Sequence, residues 1–393
     1  MKGGYVALVT VREVRYGRRS PLGRHLDDCT EGAVFSNQTL RMNARVSLGG
    51  DRLRVRLSNA YGSRPFFVGG AYMGLCDKGP GVVPGSNKRL NFGGAPSATI
   101  AAGAFVVSDP VAFDLPPLAD IAVSVYLPGD LPADFGITGR YARQTNYISP
   151  PGDFAGSEVM PVGSITGDWF FVSGVDVSGS RDAGGVVALG DSLTDANIST
   201  LDAHCRWPDQ LARRLHERHA GRPMGVMNQG LGGNRILHDI RGDSGLRRFD
   251  RDVIAQPGVT HVIVMLGTND LRNRWAKPEE EVTADQMIAG LKQLAIRAQT
   301  TGIKIFGGTL LPFENETFLP GAWNPERERT RQAVNEWIRE SGAFDAVIDF
   351  DRALRDPEHP TSMLPIYDCG DHLHPSDLGY NKMGDAIDLS LFE

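Results

Sequence analysis

Two periods divide this chain. From Tyr5 to about Val177 apolar and polar residues alternate in short runs. Leu40, Met42, Ala44 and Val46 interleave with Arg41, Asn43, Arg45 and Ser47; after Gly49-Gly50-Asp51, Leu53, Val55 and Leu57 interleave with Arg52, Arg54 and Arg56. A period of two predicts half-buried strands, and the glycine break between these runs predicts a β-hairpin with one apolar and one cationic face. The alternation also predicts that the arginine strip is a solvated sheet face. Similar runs follow at Ile121–Leu127 and Trp169–Val177, separated by turns such as Gly79-Pro80-Gly81 and Pro116-Pro117. Many short strands with regular turn signals predict a β-sandwich or jelly roll.

The stretch Val177–Gly185 is small, polar and rich in glycine, which places a domain boundary there: residues 1–180 as an all-β domain and residues 181–393 as an α/β domain. Beyond it, continuous apolar runs at Val186–Leu189, Gly225–Met227, His261–Leu266, Ile303–Phe306 and Ala346–Phe350 alternate with helical patterns. In Glu281–Thr301, Met287, Ile288, Leu291, Leu294, Ala295 and Ala298 form one stripe at 3.6-residue spacing. Further helices are predicted at Trp207–His219, Pro325–Ser341 and Ser376–Leu391. Strand–helix alternation of this kind predicts a parallel, doubly wound sheet. Trp169, Phe170 and Phe171, beside the boundary, are expected in an interdomain core rather than stacking on sugar rings.

Composition narrows the partners. A chain of 393 residues with formal charge −6 has no basic footprint for nucleic acid. No apolar run reaches the ~20 residues of a membrane span. The N-terminus lacks the apolar core of about 7–15 residues and the cleavage site of a secretory leader, so the expected location is cytoplasmic, or secreted if a leader precedes this sequence. Cys29, Cys76, Cys205 and Cys369 are dispersed without metal-ligand spacing and are expected as buried free thiols.

The chemistry lies at the strand ends of the second half. Gly190-Asp-Ser-Leu193 follows an apolar strand and puts Ser192 where open α/β sheets bind ligands. A strand-to-helix turn with a capping residue would account for that segment alone. A serine nucleophile needs a base, and His374 is preceded three residues earlier by Asp371, a carboxylate placed to orient the imidazole. His372 competes for the base role, but as the immediate neighbour of Asp371 it is harder to orient; a plain helix start at Pro375-Ser376-Asp377 would leave His374 incidental. Gly267-Thr-Asn-Asp270 ends the most apolar strand, and the Asn269 amide there can hold an oxyanion. Asn228-Gln-Gly-Leu-Gly-Gly-Asn234 also follows a strand, so the Gly233 N–H is a second oxyanion donor and the Ser192 N–H a third. Asp195 and Asn197 are expected to shape the turn after Ser192, and Glu314 and Trp323 to overhang the site from Leu311–Asn324.

These four segments, in this order and spacing, resemble the four sequence blocks of the GDSL, or SGNH, hydrolase superfamily. The resemblance covers roughly Val186 to Phe392 and implies a flavodoxin-like three-layer fold. It also implies Ser192 as nucleophile, Asp371 and His374 as its partners, and Gly233 and Asn269 as oxyanion donors. One departure is His372, where many members carry glycine. The first half, through Phe35–Arg41, Arg54–Ala60 and Gln144–Tyr147, is similar to the β-domain that precedes the catalytic domain in some bacterial and fungal members.

The expected activity is hydrolysis of short-chain acyl esters through an acyl-enzyme, without metal or organic cofactor. Removal of O-acetyl groups from saccharides is the alternative, and a non-catalytic glycan-binding role a more distant one. The expected partner is a small-molecule or saccharide ester. Because the base must be neutral, activity is expected to fall below an imidazole's usual range, about pH 6–7.

Overall fold

The computed structural model describes residues 5–10, 35–131, 137–139, 142–178, 182–218, 222–239, 241–273, 277–319 and 321–393. The chain divides into two compact units, Met1–Arg181 and Asp182–Glu393.

The first unit is all-β and antiparallel, as the alternation predicts. In one sheet Gly50–Ser58 is flanked by Val172–Ser178 on one side and by Phe105–Val107 and Val111–Leu115 on the other. In the second sheet Phe35–Arg45 lies between Asn146–Pro151 and Asp120–Leu131. The predicted hairpin does not form. Phe35–Arg45 and Gly50–Ser58 stand in different sheets, and Leu40, Met42 and Ala44 share one buried core with Leu53, Val55 and Leu57. Pairing both strands in one sheet would leave that apolar face without a second layer to bury it; the chain crosses from sheet to sheet instead.

The cationic strip is likewise not a solvated face. Arg41 is 0 % exposed. Its guanidinium donates to Ser124 Oγ at 2.8 Å, to the Ser157 carbonyl at 2.6 Å and to the Pro80 carbonyl, because loops cover the outer side of its sheet. Arg54 and Arg56 both meet the buried Asp176, at 3.0 and 3.3 Å. Arg45 lies 3.5 Å from Asp120 and is partly buried like Arg54, and Arg52 is exposed. Trp169, Phe170 and Phe171 do not form the expected interdomain core. They lie inside the first unit's own core, where Phe35 packs edge-on to Phe170 at 4.9 Å and Phe66 against Phe171 at 4.7 Å.

The second unit is the predicted α/β layer structure. Among the described residues its five strands are β1 (Gly184–Gly190), β2 (Met224–Gly230), β3 (Val259–Met265), β4 (Lys304–Gly308) and β5 (Ala346–Ile348). All pair in parallel, in the order β2-β1-β3-β4-β5. Every residue of β1 is buried, as a sheet covered on both faces requires. The helices are α1 (Ser192–Asp195), α2 (Trp207–Glu217), α3 (Gly245–Phe249), α4 (Thr268–Arg272), α5 (Ala284–Thr300), α6 (Pro325–Glu340), α7 (Phe350–Leu354) and α8 (Asp377–Asp385). The apolar stripe of α5 is buried, from Met287 through Ala298, and Thr283 caps it in a box with Gln286. Between β1 and its two neighbours the winding direction reverses, which opens a crevice at the carboxyl ends of the strands. Among the described residues no helix is long and apolar enough to cross a membrane.

Candidate active site

Three strand ends and one late loop meet in that crevice. β1 delivers Asp191 and Ser192; Gly190 precedes them because a Cβ there would fall 2.0 Å from Thr194 Oγ1. Asp191 caps α1 by accepting the Leu193 N–H at 2.9 Å, and its other oxygen accepts from Asn269 Nδ2 at 3.0 Å. Burial pushes its carboxyl up to about 7, against the pull of those donors and of Arg272.

The loop before α8 supplies the facing side chains. His374 Nε2 lies 2.9 Å from Ser192 Oγ, and its Nδ1 lies 2.7 Å from Asp371 Oδ2. Burial raises the Asp371 carboxyl, but the bond to His374 and the N–H groups of His374 and Leu373, at 2.7 and 2.8 Å, outweigh it and hold the acid down to about 2. An ionised carboxylate only accepts, so the imidazole hydrogen sits on Nδ1 and Nε2 faces the serine hydroxyl as an acceptor. Ser192 and His374 are both buried.

His372 is turned elsewhere. Its Nδ1 lies 2.7 Å from Asp368 and its side chain is half exposed. Its φ of 60° is in the left-handed region that favours glycine, which gives a physical reason for glycine to serve at this point of the loop.

The loop after β2 carries Gly233 at φ 78°, where a Cβ would also press on Arg241. Asn228 Nδ2 ties this strand end to the Thr194 carbonyl at 3.0 Å. β3 leads to Asn269, whose amide is firmly oriented. Its Nδ2 donates to Asp191 and, at 3.2 Å, to the Asn234 carbonyl, while its Oδ1 accepts from Arg272 at 3.0 Å. Asp270 faces away, accepting the Ile236 and Leu237 N–H groups at 2.7 and 3.2 Å.

Several residues around the site escaped the motif reading. Arg248 is buried and donates to the Gly190 and Gln229 carbonyls, to Asn234 Oδ1 and to Asp252, all at 2.9–3.0 Å. It thereby clamps the ends of β1 and β2. Its spacing of four from Asp252 on a helical stretch was the available signal. From Leu311–Asn324, Glu314 bonds Thr361 and Ser362. Phe318 of the same segment, 49 % exposed, sets its ring 5.4 Å from that of His374.

Asp368, Cys369 and Asp371 bring three potential ligand atoms within 4.8 Å of one another. Asp371 is committed to His374, and burial pushes the Cys369 thiol up to about 12, so the group offers no thiolate near neutral pH. Cys76, Cys205 and Cys369 are free and half-buried rather than fully buried; Cys29 lies outside the described residues.

The stretch 188–382 matches the model of the GDSL-like lipase/acylhydrolase family. These residues belong to that family. The GDSL-like domain is similar to a GDSL-like lipase from Bacteroides thetaiotaomicron, at 19% identity and TM-score 0.40 over 53% of this chain and 87% of that one. It is also similar to a catalytic mutant of an acetylxylan esterase from Geobacillus stearothermophilus, at 23% identity and TM-score 0.39 over 52% of this chain and 91% of that one. No curated protein matches the sequence. Membership of an acylhydrolase family supports a hydrolase.

Proposed function

We propose that the GDSL-like domain is a serine esterase that hydrolyses short-chain acyl esters through an acyl-enzyme. One observation carries this reading: the unbroken relay Ser192 Oγ–His374 Nε2 and His374 Nδ1–Asp371, at 2.9 and 2.7 Å. Ser192 Oγ bonds to the carbonyl carbon as His374 takes its proton, and the carbonyl electrons move onto oxygen. The Ser192 and Gly233 N–H groups and the Asn269 amide stabilise that oxyanion. Asn269 does so by sharing or ceding the longer of its two donations, the one to the Asn234 carbonyl. The C–O bond then breaks, the imidazolium protonates the departing alkoxide, and water repeats the sequence to free the acid. No step calls for a cofactor. A buried Ser192, with Phe318 standing against the ring of its partner His374, favours a small acyl group.

The test is acetate release from p-nitrophenyl acetate and from an acetylated xylo-oligosaccharide, with Ser192→Ala as control. Ser192-dependent turnover of the aryl ester supports the proposal, and a marked preference for the saccharide replaces it with carbohydrate acetylesterase. Absence of Ser192-dependent release from both overturns it.

A further inference from the structure

Two segments separated by 44 residues meet in an ion pair behind Asn269. Arg272 donates from Nε and Nη2 to Glu316 Oε1 at 3.0 and 2.9 Å, and both side chains are almost wholly buried. The third corner of the guanidinium, Nη1, donates to Asn269 Oδ1. Glu316 is fixed in turn, its other oxygen accepting the N–H groups of Phe318 and Leu319 at 2.9 and 3.3 Å. Between them, the Thr317 N–H donates to the carbonyl of Asp371 at 3.0 Å. A path of hydrogen bonds, joined by the Glu316–Thr317 backbone, therefore runs from the Asn269 amide to the backbone of Asp371.

A carboxamide is a rotor with two nearly equal ends, and only its N–H end can hold an oxyanion. A guanidinium donating to Oδ1 forbids the flipped amide, which would set N–H groups against N–H groups. Arginine's planar fork is suited to gripping a carboxylate and an amide oxygen together; a lysine ammonium is not. A buried ion pair generally adds little net stability over apolar residues of the same shape, so its place beside this amide calls for another account.

We propose that Arg272 and Glu316 are positioning residues of the esterase, acting through Asn269: Glu316 holds the guanidinium, and the guanidinium keeps the amide N–H turned to the oxyanion. This rests on the serine-esterase reading above. It predicts a loss expressed in kcat, since the oxyanion exists only in the transition state.

The experiment is steady-state kinetics on p-nitrophenyl acetate with the full chain, comparing Arg272→Lys and Glu316→Gln in the parent and in an Asn269→Ala background. In the parent each substitution should lower kcat about 10- to 100-fold with KM changed less than about threefold, part of the full loss for an oxyanion donor. In the Asn269→Ala background each should cost no more than about threefold further, because the group it acts on has gone. Full kcat in either folded single variant, or losses that multiply in the double variants, would overturn the proposal. If Arg272→Lys does not fold, the isosteric Glu316→Gln pair decides alone. A parent protein without Ser192-dependent turnover overturns the esterase reading and this inference together, whereas an active parent with multiplying losses overturns only the inference.

Discussion

Both units bury arginines, and they use them differently. In the β unit Arg41 is enclosed by Ser124 and by loop carbonyls, and its desolvation pulls the guanidinium down to about 10. Its partners carry no net charge and lead to no reactive group; it fastens loops onto a sheet. In the GDSL-like domain Arg248 and Arg272 grip groups at the candidate site: the Gly190 carbonyl, two residues before Ser192, and the side chains of Asn234 and Asn269. Burial of a cation therefore marks neither a core nor a site. What the guanidinium fork holds still is the distinguishing feature.

The comparison can be broken most sharply at the nucleophile. Ser192→Ala should lower kcat/KM by roughly 10⁴-fold or more while the melting temperature stays close to the parent's; retained activity would dissolve the distinction between the units. Next comes Arg248→Met, which removes one donor from each of four acceptors; Asp252 keeps Arg251 and the Gly190 carbonyl keeps the Leu231 N–H. Urea denaturation should show a loss of about 3 kcal/mol, together with reduced turnover. Arg41→Met leaves only neutral acceptors behind and should cost about 2–3 kcal/mol. Its kcat/KM should stay within about twofold of the parent's, and a larger fall would tie the β unit to catalysis.

The smallest effect is on pH dependence. The folded-state pKa of Asp371, about 2, lies below its unfolded value near 3.9. Its charge therefore favours the fold above pH ~4, and that contribution fades as pH falls towards 2. The carboxylate keeps some contact with solvent, so screening leaves on the order of 1 kcal/mol. Unfolding free energies from urea denaturation at pH 7 and pH 3 should differ by about half of that more in the parent than in Asp371→Asn, and equal differences would contradict the assignment.

Much of this was legible in sequence because it is local. The continuous apolar run Val186–Leu189, the stripe from Met287 to Ala298 and the capping residues each carry their own signal within a few positions. The hairpin misreading shows where locality ends: alternation in Leu40–Val46 and Leu53–Leu57 identifies two strands, but which sheet each joins depends on partners 70 or more residues away, at Asp120–Leu131 and Val172–Ser178. The same limit hid Arg41, whose covering loops lie 39 and 116 residues along the chain. At the site, Gly190–Leu193 and Asp371–His374 announce themselves through residue type and spacing. Glu316 and Phe318 do not, since they sit in an irregular segment with no period and meet Arg272 and His374 only in three dimensions.

Ser192 and His374 are 182 residues apart, with four of the five strands between or after the nucleophile. During synthesis the serine emerges early, and the sheet that frames it can assemble around β1, β2 and β3 long before its base exists. On the proposed reading, any fragment ending short of residue 374 carries Ser192 without its base, so a nascent or truncated chain cannot run the reaction. Ester hydrolysis through Ser192 would then report completion: a chain that performs it has been made at least through His374, just before α8.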